Sequence, residues 1–106
     1  REYAYAQYMN QWVRKVERIG NVNYPQNAMR PGTDGRLILT VAIRRDGRIE
    51  DITLVKSSGN AELDRAAIAI VKLAEPFAAL PSTKDNPGLL YITREWQFSA
   101  GQTSLN

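Results

Sequence analysis

The sequence contains no cysteine and no histidine. Without cysteine there is no disulfide framework, no thiol nucleophile and no cysteine-type zinc site. Without histidine there is no Ser-His-Asp triad, no histidine-ligated metal and no side chain whose ordinary pKa sits near neutrality. Most routes to an enzyme are thereby closed; a carboxylate pair or a tuned lysine remains, and nothing in the chain selects one. No run approaches the ~18–20 apolar residues needed to span a bilayer, and no signal-peptide pattern opens the chain. The first residue is Arg1 rather than Met, as expected of a piece of a longer protein whose anchor or targeting segment lies elsewhere. Excess charge is also scarce: Lys+Arg 14 against Asp+Glu 11 gives a net +3. Arg14, Lys15 and Arg18 gather on one predicted helix, and Arg44, Arg45 and Arg48 surround a turn. Nucleic-acid binding calls for a denser stripe with aromatics interleaved, so these are expected to be solvated basic faces, and no nucleic-acid partner is expected.

What the chain does have is a globular balance, with 43% hydrophobic and 24% charged residues over 106 positions. That suits one domain with a single core. Tyr5, Met9, Trp12, Val16 and Ile19 recur at helical spacing, which predicts a long amphipathic helix over about residues 1–20, stopped by Gly20 and Asn21. Pro25 suits the first turn of a short helix, and 31–35 reads as a loop. Residues 36–44 alternate as a strand, with Leu37, Leu39, Val41 and Ile43 on one face. Asp46-Gly47 predicts a two-residue hairpin turn with positive φ at both positions, and 48–57 is the returning strand. Pairing Arg45 with Arg48 makes partner numbers sum to 93, so Val41 faces Ile52, Leu39 faces Leu54 and Thr40 faces Thr53. Ile38 opposite Val55 forms a small apolar spot on the polar face, expected to be partly covered by another element.

Asn60 is the expected cap of a second helix, with Glu62 and Asp64 in its first turn and Leu63, Ala67, Ile70, Val71 and Ala74 buried. Pro76 ends it. Residues 89–98 form the last strand, with Leu90, Ile92, Trp96 and Phe98 on one face and Arg94 among them. Residues 99–106 read as a small polar tail. The expected fold is therefore α+β: a three-stranded antiparallel sheet with helices packed on one face, preceded by a long N-terminal helix. One domain spans 1–106, comprising the helix at 1–20, a core at 21–98 and a flexible tail at 99–106.

Such a sheet has two edges, and an edge strand is a row of unpaired N–H and C=O groups that can accept an extended peptide. The last strand is the candidate, its outer backbone expected to be free along its length, with Arg94 and Glu95 as gatekeeping charges. Acid–base catalysis is the rival. Glu50 and Asp51 are adjacent and point to opposite faces of a strand, and Ser57-Ser58-Gly59 reads as a turn and cap rather than an anion nest. No catalytic residue, metal ligand or cofactor is expected.

The order of motifs is more specific than any one of them. Tyr24-Pro25-(x2)-Ala28 precedes the first strand, and Asp46-Gly47-Arg48-Ile49 makes the hairpin. Ser57-Ser58-Gly59, Leu63-Asp64-Arg65-Ala66-Ala67, Pro76-Phe77 with Leu80-Pro81, and Trp96-x-Phe98 follow. This set, over about residues 20–98, resembles the C-terminal domain of TonB proteins, the periplasmic energy transducers of Gram-negative bacteria. The resemblance implies a non-enzymatic periplasmic domain of a protein anchored in the inner membrane and driven by the ExbB–ExbD proton-powered motor. It implies capture of the TonB box and plug of outer-membrane TonB-dependent transporters by strand addition, for uptake of iron–siderophore complexes, haem or vitamin B12. Carried over by position, Leu89, Leu90, Tyr91, Ile92, Thr93, Arg94 and Glu95 would form the accepting edge. Tyr24, Pro25, Gln26, Asn27, Ala28 and Met29 would form a second contact segment. A TolA-like or other periplasmic scaffold domain is the alternative.

Overall fold

A computed structural model describes residues 2–26 and 34–106. The elements run α1 (Glu2–Val22), β1 (Gly35–Arg44), β2 (Ile49–Lys56), α2 (Ala61–Ala74), β3 (Leu89–Ser99) and β4 (Gln102–Leu105). The α+β class and the antiparallel sheet are as expected, with α1 preceding the sheet. The sheet has four strands rather than three, in the order β2-β1-β3-β4.

β1 is central because it can bury a whole face. Leu37, Leu39, Val41 and Ile43 are each nearly inaccessible, and they join residues of α1 and α2 in one core cluster, so both helices cover the same side of the sheet. The opposite side is polar, with the Thr40 and Thr93 hydroxyls bonded across the strands at 2.8 Å. The β1–β2 register follows the sum of 93 at Leu39, Thr40, Val41 and Ala42. It shifts at both ends, where Ile38 meets Lys56 and Ile43 meets Ile49. Val55 is thereby left out of the pairing and stands 57% exposed, uncovered by any neighbour that would bury it.

The hairpin turn also differs from expectation. Gly47 N–H donates to the Arg44 carbonyl at 2.9 Å, and Arg44 N–H donates to the Arg48 carbonyl at 2.8 Å. Only Gly47 has positive φ, at 87°. The loop is the three-residue kind, a turn followed by a left-handed glycine that bulges the strand. A tertiary contact selects it: a Cβ on Gly47 would lie 2.1 Å from the Phe77 carbonyl oxygen, and Phe77 N–H donates to the Gly47 carbonyl at 2.9 Å. Phe77 and Leu80 thus dock under the hairpin and enter the core.

In α1 the most deeply buried residues are Tyr8, Trp12, Val16 and Gly20, spaced by four, with Tyr5, Met9 and Ile19 flanking them half-buried. The contact line is rotated from the predicted stripe, and it runs through Gly20 instead of stopping there. A Cβ on Gly20 would lie 2.8 Å from the Thr103 side chain, so the glycine serves a close approach of helix to strand rather than a helix end. The helix ends instead at Asn23, whose backbone N–H and side-chain amide both donate to the Ile19 carbonyl at 2.9 Å. In α2, Asn60 caps the helix by accepting from Glu62 N–H at 2.9 Å, and the predicted apolar stripe is buried together with Asp64.

The predicted polar tail at 99–106 is an ordered hairpin arm. Ala100 and Gly101 both take positive φ, 53° and 82°, and turn the chain back so that Gln102–Leu105 pairs with Trp96–Ser99. Thr103 and Leu105 are buried. The alternation of inward Thr103 and Leu105 suffices for a strand once α1 supplies the other wall.

Candidate functional site

The sheet presents two edges, and they are not equivalent. β2 carries register shifts toward both ends, and it bears Glu50 and Asp51. Bulges and charges are the common devices that spoil an edge for further pairing. β3, by contrast, pairs with β1 through ten consecutive positions without a shift, from Gly35 opposite Phe98 to Arg44 opposite Leu89.

Only part of β3 is uncovered. β4 occupies Trp96–Ser99. Beyond it, Asn106 exchanges both backbone bonds with Glu95, at 3.0 and 2.8 Å. The outer side of β4 is closed in turn by α1: Thr103 N–H donates to Asn21 Oδ1 at 2.7 Å, and Leu105 N–H donates to Glu17 Oε2 at 2.8 Å. The expectation of an outer backbone free along its length therefore fails over the C-terminal half of the strand.

The N-terminal half is different. In an antiparallel ladder, alternate residues address alternate neighbours. Glu95 addresses Asn106, so Leu89, Tyr91 and Thr93 also direct their N–H and C=O groups outward. Among the described residues no strand pairs with them. The open stretch is roughly 14 Å long at ~3.4 Å per residue. Tyr91 is 63% exposed on the polar face, and Thr93 beside it bonds Thr40. Leu90 and Ile92 point to the core side and give the stretch a rigid backing. Arg94 lies on that side too, with Nη1 donating to the Thr93 carbonyl at 3.0 Å.

Of the second predicted segment, Tyr24, Pro25 and Gln26 are described. Tyr24 is buried, packed edge-on against Phe98 with ring centroids 5.6 Å apart. Burial pushes its hydroxyl pKa up. Pro25 is half-buried and Gln26 exposed, while Asn27, Ala28 and Met29 lie outside the described residues. Tyr24 therefore braces the half of β3 that β4 covers and does not adjoin the open half.

Among the described residues the carboxylates named above do not come together in one site. Glu50 is held by Arg44 at 2.6 Å, and Asp51 accepts from the Thr53 hydroxyl. Ser57 and Ser58 are spent on Asp64. No group of three or more acidic, His or Cys residues suited to a metal occurs among the described residues. Sequence reasoning missed Glu17, Asn21 and Asn106, which set how much of β3 is open. A bonded amide or carboxylate on a helix flank leaves no pattern in a sequence.

Two kinds of comparison bear on this arrangement. The family model described as the C-terminal of the Gram-negative bacterial TonB protein matches residues 20–100. Protein TonB of Pasteurella multocida (strain Pm70) is 33% identical over 73 residues, covering 69% of this chain and 28% of that protein. Protein TonB of Xanthomonas campestris pv. campestris (strain B100) is 42% identical over 45 residues, covering 42% of this chain and 20% of that protein. The aligned stretches thus span about a quarter or less of those relatives' lengths. No solved structure matches the chain significantly.

Proposed function

The chain belongs to the family of Gram-negative bacterial TonB C-terminal domains, and from that membership we propose that it is a non-enzymatic periplasmic receiver for outer-membrane transporters. It captures the TonB box, an extended segment of the transporter, as an added strand on β3. The protein of which it forms part is anchored in the inner membrane, where the ExbB–ExbD motor supplies proton-motive energy. Pulling on the captured strand remodels the transporter's plug and admits iron–siderophore complexes, haem or vitamin B12.

The observation that carries this reading is the outward backbone of Leu89, Tyr91 and Thr93, on a strand with no register shift against β1. Strand addition draws its affinity from the main chain and its selectivity from alternate side chains. A pull along the strand axis loads those hydrogen bonds in parallel, so a complex of modest affinity can transmit force. The rigid core behind β3, with Ile92, Trp96 and Phe98 fully buried, keeps the receiving strand from yielding first.

Titration of the isotope-labelled domain with a TonB-box peptide tests it. The amides of Leu89, Tyr91 and Thr93 should shift and gain protection from exchange, while those of β2 stay put. Peptide-induced shifts confined to β2 or to α1, with Leu89–Thr93 unmoved, would point instead to a periplasmic scaffold domain.

A further inference from the structure

The open stretch of β3 ends against a cation. Arg94 lies between Thr93, the last uncovered outward position, and Glu95, whose outward groups are taken by Asn106. Its side chain starts on the helix-covered face and curls around the strand, so that Nη1 donates to the outward Thr93 carbonyl at 3.0 Å. Nη2 lies 3.7 Å from the thioether sulfur of Met9 on α1. No carboxylate pairs with this guanidinium among the described residues.

We propose that Arg94 is a specificity-determining residue of the edge, selecting extended segments that carry a carboxylate at the end meeting β4. The proposal rests on strand addition at β3. A strand added there needs the Thr93 carbonyl as an acceptor for one of its own N–H groups. That oxygen is already engaged by Arg94, so an incoming segment displaces the guanidinium. A neutral segment returns the displaced cation to water and gains one neutral bond in exchange for a charge-assisted one. A segment with an Asp or Glu beside this position offers the guanidinium two oxygens in a fork geometry, and charge-assisted bonds of this kind are about twice as strong as neutral ones. The same contact that obstructs a neutral strand therefore recruits an acidic one. In the free domain the Met9 sulfur holds Nη2 from the α1 side, which ties this discrimination to the docking of α1.

The test uses the domain as it exists and capped synthetic peptides of alternating valine and threonine. One pair carries Asp or Asn at the first position, and a second pair carries them at the last, so either strand direction is sampled. Binding is read from the amide shifts of Leu89, Tyr91 and Thr93. In one of the two pairs the wild-type chain should favour Asp over Asn by about tenfold at low salt, with the preference shrinking as salt is added. Arg94→Met, which keeps an unbranched stem without the charge, should abolish the preference and bind the Asn peptide more tightly than the wild type does. Arg94→Lys should retain part of the preference through its point charge. An Asp-to-Asn ratio unchanged in Arg94→Met, with the β3 shifts still present, overturns the role of Arg94 alone. Absence of shifts at Leu89–Thr93 with every peptide overturns strand addition, and this proposal with it.

Discussion

Asp64 ties the end of β2 to the start of α2. Its carboxylate accepts from the Ser57 hydroxyl at 2.5 Å, the Ser58 amide at 2.9 Å and the Ser58 hydroxyl at 2.7 Å. The residue is 8% exposed. Burial pushes the carboxyl pKa up, but the bonds from Ser57 and Ser58, with the Arg65 charge nearby, outweigh it, and the group ends below its ordinary 3.8. The unfolded chain therefore holds a proton on this carboxyl more readily than the folded one. The associated stability is complete above 3.8 and is lost as pH falls through the lower folded value. Asp64→Asn should lower stability at neutral pH by about 1–3 kcal/mol, because an amide N–H₂ then faces donors that need an acceptor. Urea unfolding at neutral pH and well below 3.8 checks both statements: the gap between wild type and variant should narrow in acid. A gap that stays constant would mean that the charge of Asp64 does not contribute. The sequence pattern identified this residue only as a helix-start acid, since Glu62 two places earlier also lies in the first turn and has no such partners.

At the scale of elements, the β3–β4 hairpin is built on an unfavourable turn. Ala100 stands at φ 53° and Gly101 at 82°, the mirror-image conformation preferred by two-residue hairpins. Glycine accepts it freely, whereas alanine in the left-handed region costs roughly 1–2 kcal/mol. Ala100→Asn should recover up to about 1 kcal/mol, since asparagine tolerates this region. The expected signs are a higher Tm and slower exchange of the Glu95 and Asn106 amides. An unchanged Tm would show that β4 is held by α1 and not by its turn. The same turn explains why the strand escaped sequence reasoning. Ala-Gly lacks the Asn-Gly or Asp-Gly signature, and Leu105 is its one large apolar residue. The β1–β2 register was legible because apolar residues alternate on both strands and the pairing of Val41 with Ile52 satisfies both at once. The bulge at Gly47 was not, because the Phe77 carbonyl that selects it comes from thirty residues further along the chain. Gly20 misled for a related reason: a helix stop and a close helix–strand approach demand the same residue.

Over the whole molecule, the two elements flanking the family match fasten one another. The match covers residues 20–100; most of α1 lies before it and β4 lies after it. Their junction is Gly20 against Thr103, Asn21 on the Thr103 amide and Glu17 on the Leu105 amide. This junction decides how many outward groups of β3 remain open, so the extent of the open edge is a property of α1 as much as of β3. The open half was legible as an unpaired last strand, while the covered half depends on contacts more than eighty residues apart. Removing residues 1–19 would uncover the partners of Tyr8, Trp12 and Val16, each buried to 7% exposure or less, at about 1.5–3 kcal/mol apiece. It would also strip Leu105 N–H of its acceptor. That loss is comparable to the whole stability of a domain this size, ~5–15 kcal/mol, so the shortened chain should lose β4 first and associate through the bared edge. Glu17→Ala isolates the milder effect. Exchange at Leu105 and Asn106 should quicken while the β1 amides keep their protection, and Glu95 should become available to an added strand. If the Leu105 amide remains as protected in Glu17→Ala as in the wild type, the helix does not govern the edge, and β4 closes it unaided.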